Sequence, residues 1–295
     1  MALRCALTAT APGAYGFARA IQRAGIDPWL GGGMTTMTAG VLTSKQAAFR
    51  DEYRRNIASW YNGWGHLLSI FVPGIAVIWY CVAHVHEPTV WELLFVIPVL
   101  VFYNWNEWWL HKNAMHRPIK GLGGILMPVY HRHTHQHHQY FTAQVMTYDS
   151  NREWRIVLFP PYALILFMVM TLPAALILGL LWSANAGYIL MLLTPIYYLN
   201  YETFHLCCHV HDNWFVRLCP LVNTIRRHHA AHHSQPIMME RNMNLTYPIA
   251  DWYMGTSDLQ RGLLGHLFNG YSTRYVKKEY ASDQGAELDA RVATS

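Results

Sequence analysis

Apolar residues along this chain gather into four long runs, at roughly 67–83, 93–110, 156–182 and 186–204, with polar stretches between them. The third extends from Ile156 to Trp182 without a charge, longer than the about 20 residues a helix needs to cross a bilayer. Asn104 and Glu107 interrupt the second run and Glu202 falls at the end of the fourth; polar and ionisable groups are costly in lipid, so these two boundaries are softer. The pattern predicts four helices. HVHEPTV (84–90) joins the first pair and SANAG (183–187) the second, and connections this short make antiparallel neighbours. Pro73, Pro98, Pro160, Pro161, Pro173 and Pro195 predict kinks rather than breaks, because neighbours in a bundle can satisfy the freed backbone groups.

Charge sharpens this picture. Only 13% of residues are charged and 53% are hydrophobic, a balance expected when much of the surface meets lipid. All 22 Lys and Arg fall in residues 1–55, 112–155 and 217–291, and neither hairpin contains one. The positive-inside bias then places both termini and the central segment in the cytoplasm. The expected division is a partly disordered cytosolic segment at 1–60, a membrane-embedded domain at 61–275 and a polar tail at 276–295. Five cysteines without a CxxC pair suggest reduced thiols rather than a disulfide framework. Nothing points to a nucleic-acid partner.

Eighteen histidines are far more than ordinary usage, and most lie in four stretches: HKNAMH (111–116), HRHTHQHH (131–138), HLCCHVH (205–211) and HHAAHH (228–233). By the topology above, each lies at or beyond a cytoplasmic helix end. His133 and His137, His205 and His209, and His229 and His233 are four apart, so on α-helices each pair shares a face. His111 and His116 are five apart, about 140° around an α-helix, which calls for a helix end or turn between them. The tandem pairs His137-His138 and His232-His233 diverge and can serve two metals. Imidazole suits iron, zinc, copper and nickel, whereas calcium and magnesium prefer oxygen. Glu107 and Glu202 precede His111 and His205 by four and three residues, which suggests hydrogen bonds to the rings' free nitrogens. Trp105, Trp108, Trp109, Tyr197 and Tyr198 read mainly as interfacial anchors. His66, His84, His86 and His266 read as structural.

The succession His111-x4-His116, His133-x3-His137-His138 and His229-x2-His232-His233 resembles the three histidine boxes of the integral-membrane fatty acid hydroxylase superfamily, which includes sterol desaturases. His205-x3-His209 looks like that family's additional pair, and NLTYPIADWYMGTSDL (244–259) is similar to the segment that follows its third box. The resemblance covers about residues 65–260. It implies an all-α, four-helix membrane domain whose cytosolic helical cap holds a dimetal site. The implied ligands are His111, His116, His133, His137, His138, His205, His209, His229, His232 and His233. At Thr134 the second box departs from the family pattern, leaving His133 or His135 for its first place; the third box leaves His228 or His229.

What the resemblance implies chemically is an O2-dependent diiron oxidase, with zinc as a possible substitute metal, that hydroxylates or desaturates an unactivated C–H bond of a lipid such as a fatty acyl chain or sterol. A separate electron-donor protein or reductase is expected, with Arg226, Arg227, Lys277 and Lys278 as candidates for steering it when acidic. The rival is a membrane transition-metal transporter with a cytosolic histidine-rich site. It would need ionisable residues along a path through the bilayer, and the apolar runs hold almost none at their centres.

Overall fold

The computed structural model describes residues 42–119, 124 and 126–281. Expectations for residues 1–41 and for most of the polar tail lie outside the described residues. Regular structure within them is helical, with isolated β-bridges at Thr142 and Val145 and at Leu259 and Val276.

Helix α1 (Ser44–Arg55) lies within the stretch expected to be partly disordered. Its start is fixed by a reciprocal capping box between Thr43 and Gln46. Helix α2 (Gly63–His84) begins at Asn62, whose side chain caps the Gly65 amide. Gly63 is required for close approach, since a Cβ there would sit 2.0 Å from the Asn151 carbonyl oxygen. A short turn, Val90–Leu94, leads into α3 (Val96–Leu110), and beyond the central segment follow α4 (Tyr162–Leu181) and α5 (Ala184–His209). Pro73, Pro173 and Pro195 all lie inside helices.

Three stretches are long and apolar enough to cross a membrane: Gly63–His84, Val90–Met115 and Asn151–Leu181. Each leaves most of its length uncovered by protein, and exposed Leu166, Val169, Met170, Leu180 and Leu181 on α4 give it the outward apolar surface that a lipid-facing helix needs. α5 has a different role. It packs on α2, α3 and α4 and buries one side chain after another from Ala186 to His209. A helix enclosed by others can carry polar groups that pair inside the bundle, and α5 carries Thr194, bonded to Tyr103 at 2.7 Å, together with Glu202, His205 and His209. Those residues lower its mean hydropathy, although it has ample length.

After α5 come α6 (Trp214–Leu218), α7 (Pro220–His232) and α8 (Ile249–Tyr253). α7 packs against the end of α5, and α8 against α3. Arg226 is buried against the Cys207 and Val210 carbonyls, and Arg227 pairs with buried Asp258. These two arginines are structural, and neither is available to steer a partner. Of the expected interfacial anchors, Trp108 and Tyr198 are buried, Trp108 donating to Thr256 Oγ1 at 2.8 Å, and half-buried Tyr197 turns its hydroxyl inward to donate to Glu107.

Candidate metal centre

The first histidine pair lies on a π-helix. Residues His111–Met115 continue α3 with i→i+5 bonding, and the His116 amide donates to the His111 carbonyl at 3.2 Å. Such bonding brings residues five apart back to one side, and the two Nε2 atoms lie 3.2 Å apart. No helix end is needed between them.

On a second π-helix, His131–His137, the rings of His133 and His137 stack 5.2 Å apart as their spacing predicts, yet their nitrogens go to different groups. The His138 amide donates to the His133 carbonyl, so His133 pairs with His138 five residues on, their Nε2 atoms 3.0 Å apart. His137 turns to other neighbours. Thr134, where the box departs from the family pattern, donates its hydroxyl to the Met115 carbonyl at 2.7 Å and ties the two π-helices together.

Two groups result, each with ring nitrogens within 4.8 Å of one another and every member buried. The first contains His111, His116, His133, His138 and His232; the second contains His137, His205, His209 and His229. His233 adjoins the second, its Nε2 3.0 Å from that of His229, while its ring stacks on His138 at 4.2 Å. All ten expected ligands are thus brought together. His135 is exposed beside Tyr130, and His228 points its Nε2 to Asp251 at 2.9 Å, so neither alternative joins a group. His66 bonds the Phe159 carbonyl and the Tyr61 hydroxyl, as a structural residue does.

The decisive feature is which nitrogen carries the proton. His111, His137, His209, His232 and His233 each place Nδ1 on a backbone carbonyl, of Met243, Ile156, Met146, Arg241 and Phe141 in turn. A carbonyl only accepts, so Nδ1 must donate and Nε2 is left as a bare lone pair. Within the first group, His111 and His232 bring such lone pairs within 4.8 Å; within the second, His137 and His209 do. Lone pairs cannot satisfy one another, and a neighbouring ring such as His116, 3.2 Å from His111 and 2.9 Å from His232, has one Nε2–H to give. A cation takes several lone pairs at once, so the donor set fits metal.

Electrostatics agree. Burial pushes the pKa of His116 down to about 2. It also holds His133, His137, His138, His229, His232 and His233 well below the ordinary imidazole range, with neighbouring imidazoles adding to the effect. The rings are neutral, the form that binds metal.

Neither carboxylate expected beside a ligand reaches one. Glu107 accepts from the Leu245 and Thr246 amides and the Thr246 and Tyr197 hydroxyls. Glu202 accepts from the Phe159 amide at 3.1 Å. The His111 Nδ1–H goes to the Met243 carbonyl instead, and His205 Nδ1 has no hydrogen-bond partner. The orienting groups that sequence reasoning missed are main-chain carbonyls, which every residue carries and no motif displays.

A small cavity, of about 20 Å³, lies against the site between imidazoles and apolar side chains. It is lined by His133, His137 and His205, from both groups, and by Met115, Ile156, Val157, Phe159 and Tyr201 among others. Half-buried Arg132 stiffens one side by donating to the Arg155 and Leu158 carbonyls.

Fold and site together define an all-helical protein with membrane-length helices and a histidine-lined candidate metal centre. No protein-family model, curated protein or solved structure matches the chain.

Proposed function

We propose that this protein is an integral-membrane dinuclear-iron oxidase that uses O2 to hydroxylate, or desaturate, an unactivated C–H bond of a lipid. The observation that carries the reading is the convergence of bare Nε2 lone pairs into two adjacent buried groups that border one small cavity with apolar lining. Two metals side by side, held by neutral nitrogen donors, suit redox-active iron; zinc can take the same ligands. Iron bound there supplies the oxidant for C–H cleavage from O2 and externally delivered electrons, chemistry that no side chain offers.

The chain's own residues do the remaining work. Met115, Ile156, Val157 and Phe159 line the small cavity beside His133, His137 and His205 with apolar surface and exclude bulk water from it. Nδ1–H bonds to backbone carbonyls keep five rings in the ligating tautomer. In this reading α5 is a fourth span, enclosed by the other three. Both termini and the metal centre lie on the cytoplasmic face, because Lys and Arg are absent from residues 56–111 and 156–216 and abundant beside the histidines. Substrate enters from the surrounding membrane lipid, and a separate electron-donor protein or reductase completes the cycle.

Comparison of lipids from cells expressing the intact chain and the His137→Ala variant tests this reading. An oxygen-bearing or newly unsaturated lipid present only with the intact chain is expected. Identical lipid profiles accompanied by altered metal uptake would instead identify a transporter.

A further inference from the structure

The carbonyls that orient the histidines are not spread through the protein. In the first group, both carbonyl-bonded rings are held by one short segment: His111 by Met243 and His232 by Arg241. In the second group and its neighbour His233, all three are held by a different segment: His233 by Phe141, His209 by Met146 and His137 by Ile156. No carbonyl-bonded ring crosses over among the described residues.

Each segment has its own buried acid. Asp251 accepts from the Met243 amide at 3.0 Å, the Asn244 amide at 2.7 Å, the Thr256 hydroxyl at 2.6 Å and His228 Nε2 at 2.9 Å. Asn242, between the two orienting carbonyls, sits at φ 58°, a left-handed conformation that Asn tolerates; its side chain bonds the His228 carbonyl and the Asp258 amide. On the other side, Glu153 accepts from the Ser150 amide and hydroxyl, Arg54 and the Tyr140 hydroxyl. Nearby, Arg50 holds the Thr147 carbonyl at 2.8 Å and the Tyr148 amide binds the His209 carbonyl.

We infer that the centre is built as two separately supported half-sites, with Asp251 the positioning residue for the His111/His116/His133/His138/His232 group and Glu153 the positioning residue for the His137/His205/His209/His229 group. This rests on the reading that both groups hold metal; it does not depend on the reaction catalysed. In Asp251→Asn the amide NH2 must oppose at least one backbone N–H, of Met243 or Asn244, so the 241–243 carbonyls lose their alignment and the first group loses its metal. The second group keeps its own support.

Metal counting on purified, detergent-solubilised full-length protein loaded with ferrous iron tests the division. Two ions per chain are expected for the wild type, one for Asp251→Asn, one for Asp251→Asn combined with His116→Ala, and none for Asp251→Asn combined with His209→Ala. The nonadditive pair separates a local positioning role from general loosening, which would cost metal in every combination. Should Asp251→Asn not fold, Glu153→Gln poses the mirror question: one ion alone, one with His209→Ala and none with His116→Ala. Two ions retained in the folded acid variants, or both lost together, would overturn the inference while leaving the metal centre intact in the wild type. A folded wild type that takes up no metal would overturn the reading of the centre and this inference with it.

Discussion

Glu107 lies one helical turn before His111, yet its carboxylate faces away from that ring and grips the Thr246 amide at 3.0 Å and the Thr246 hydroxyl at 2.6 Å. The acid therefore reaches the histidine indirectly, through residues 243–246, whose Met243 carbonyl orients His111. Buried carboxylates that accept several donors are held by charge-assisted bonds of about 1.5–3 kcal/mol each. Glu107→Ala strands those donors in the interior and is expected to destabilise the protein by about 3 kcal/mol or more. Glu107→Gln keeps the shape but opposes an NH2 to at least one donor, and a smaller loss is expected. Thermal unfolding in detergent measures both, and equal midpoints for wild type and Glu107→Ala would contradict the bridging role.

The two π-helices explain why the metal groups were only partly legible in the sequence. Spacings of four in His205/His209 and His229/His233 translate directly into shared α-helical faces, and those pairs do meet. Spacings of five in His111/His116 and His133/His138 look mismatched on an α-helix and become neighbours only through i→i+5 bonding. Nothing in HRHTHQHH announces that choice. The apolar pattern marked the outer helices clearly because their surfaces face outward, whereas α5 was ambiguous because its neighbours cover it and let it hold Glu202. The partners of Glu107 and Asp251 could not be read from spacing, since hydrogen bonds from 138 and eight residues away depend on how the chain closes.

His133 and His135 offer a clean contrast. They belong to one box and differ by two positions, but His133 lies within the first group while His135 packs on the surface against Tyr130. His135→Ala should leave the metal count unchanged and shift stability by no more than about 0.5 kcal/mol, as is usual for surface substitutions. His133→Ala should cost at least one ion per chain. Elemental analysis of the two variants decides, and metal loss from His135→Ala would move the first box position away from His133.

Chelation should lower thermal stability markedly. A ligand that binds only the folded state stabilises it by about 4 kcal/mol when present at a thousandfold excess over its dissociation constant. Here removal also leaves converging Nε2 lone pairs to be met only by Nε2–H groups of neighbouring rings such as His116, 3.2 Å from His111 and 2.9 Å from His232. The unfolding midpoint of protein dialysed against a strong chelator is therefore expected well below that of the loaded form, with recovery on adding ferrous iron or zinc. Calcium and magnesium should give no recovery, because nitrogen donors serve them poorly.

Acid should release the metal and then unfold the protein, and the sign follows from the imidazoles. Burial first, and neighbouring rings second, hold His116 at about 2 and push His133, His137, His138, His229, His232 and His233 far down as well. In the unfolded chain the same groups titrate near 6.5. Above that pH both states are neutral and these rings add no pH dependence. Below it the unfolded state takes up protons that the folded state refuses, so stability falls as pH falls, by up to about 1.4 kcal/mol per pH unit for each ring. The loss continues until the depressed folded values are reached. Metal adds a dependence of the same sign, because protons compete with it for each Nε2. Unfolding midpoints measured from pH 8 downward should be flat at first and then drop steeply below about pH 6.5, with the apo protein failing at a higher pH than the loaded one. A midpoint that stayed constant to pH 5 in the apo protein would mean that these imidazoles are solvated, and the buried arrangement from which the metal centre is argued would not hold.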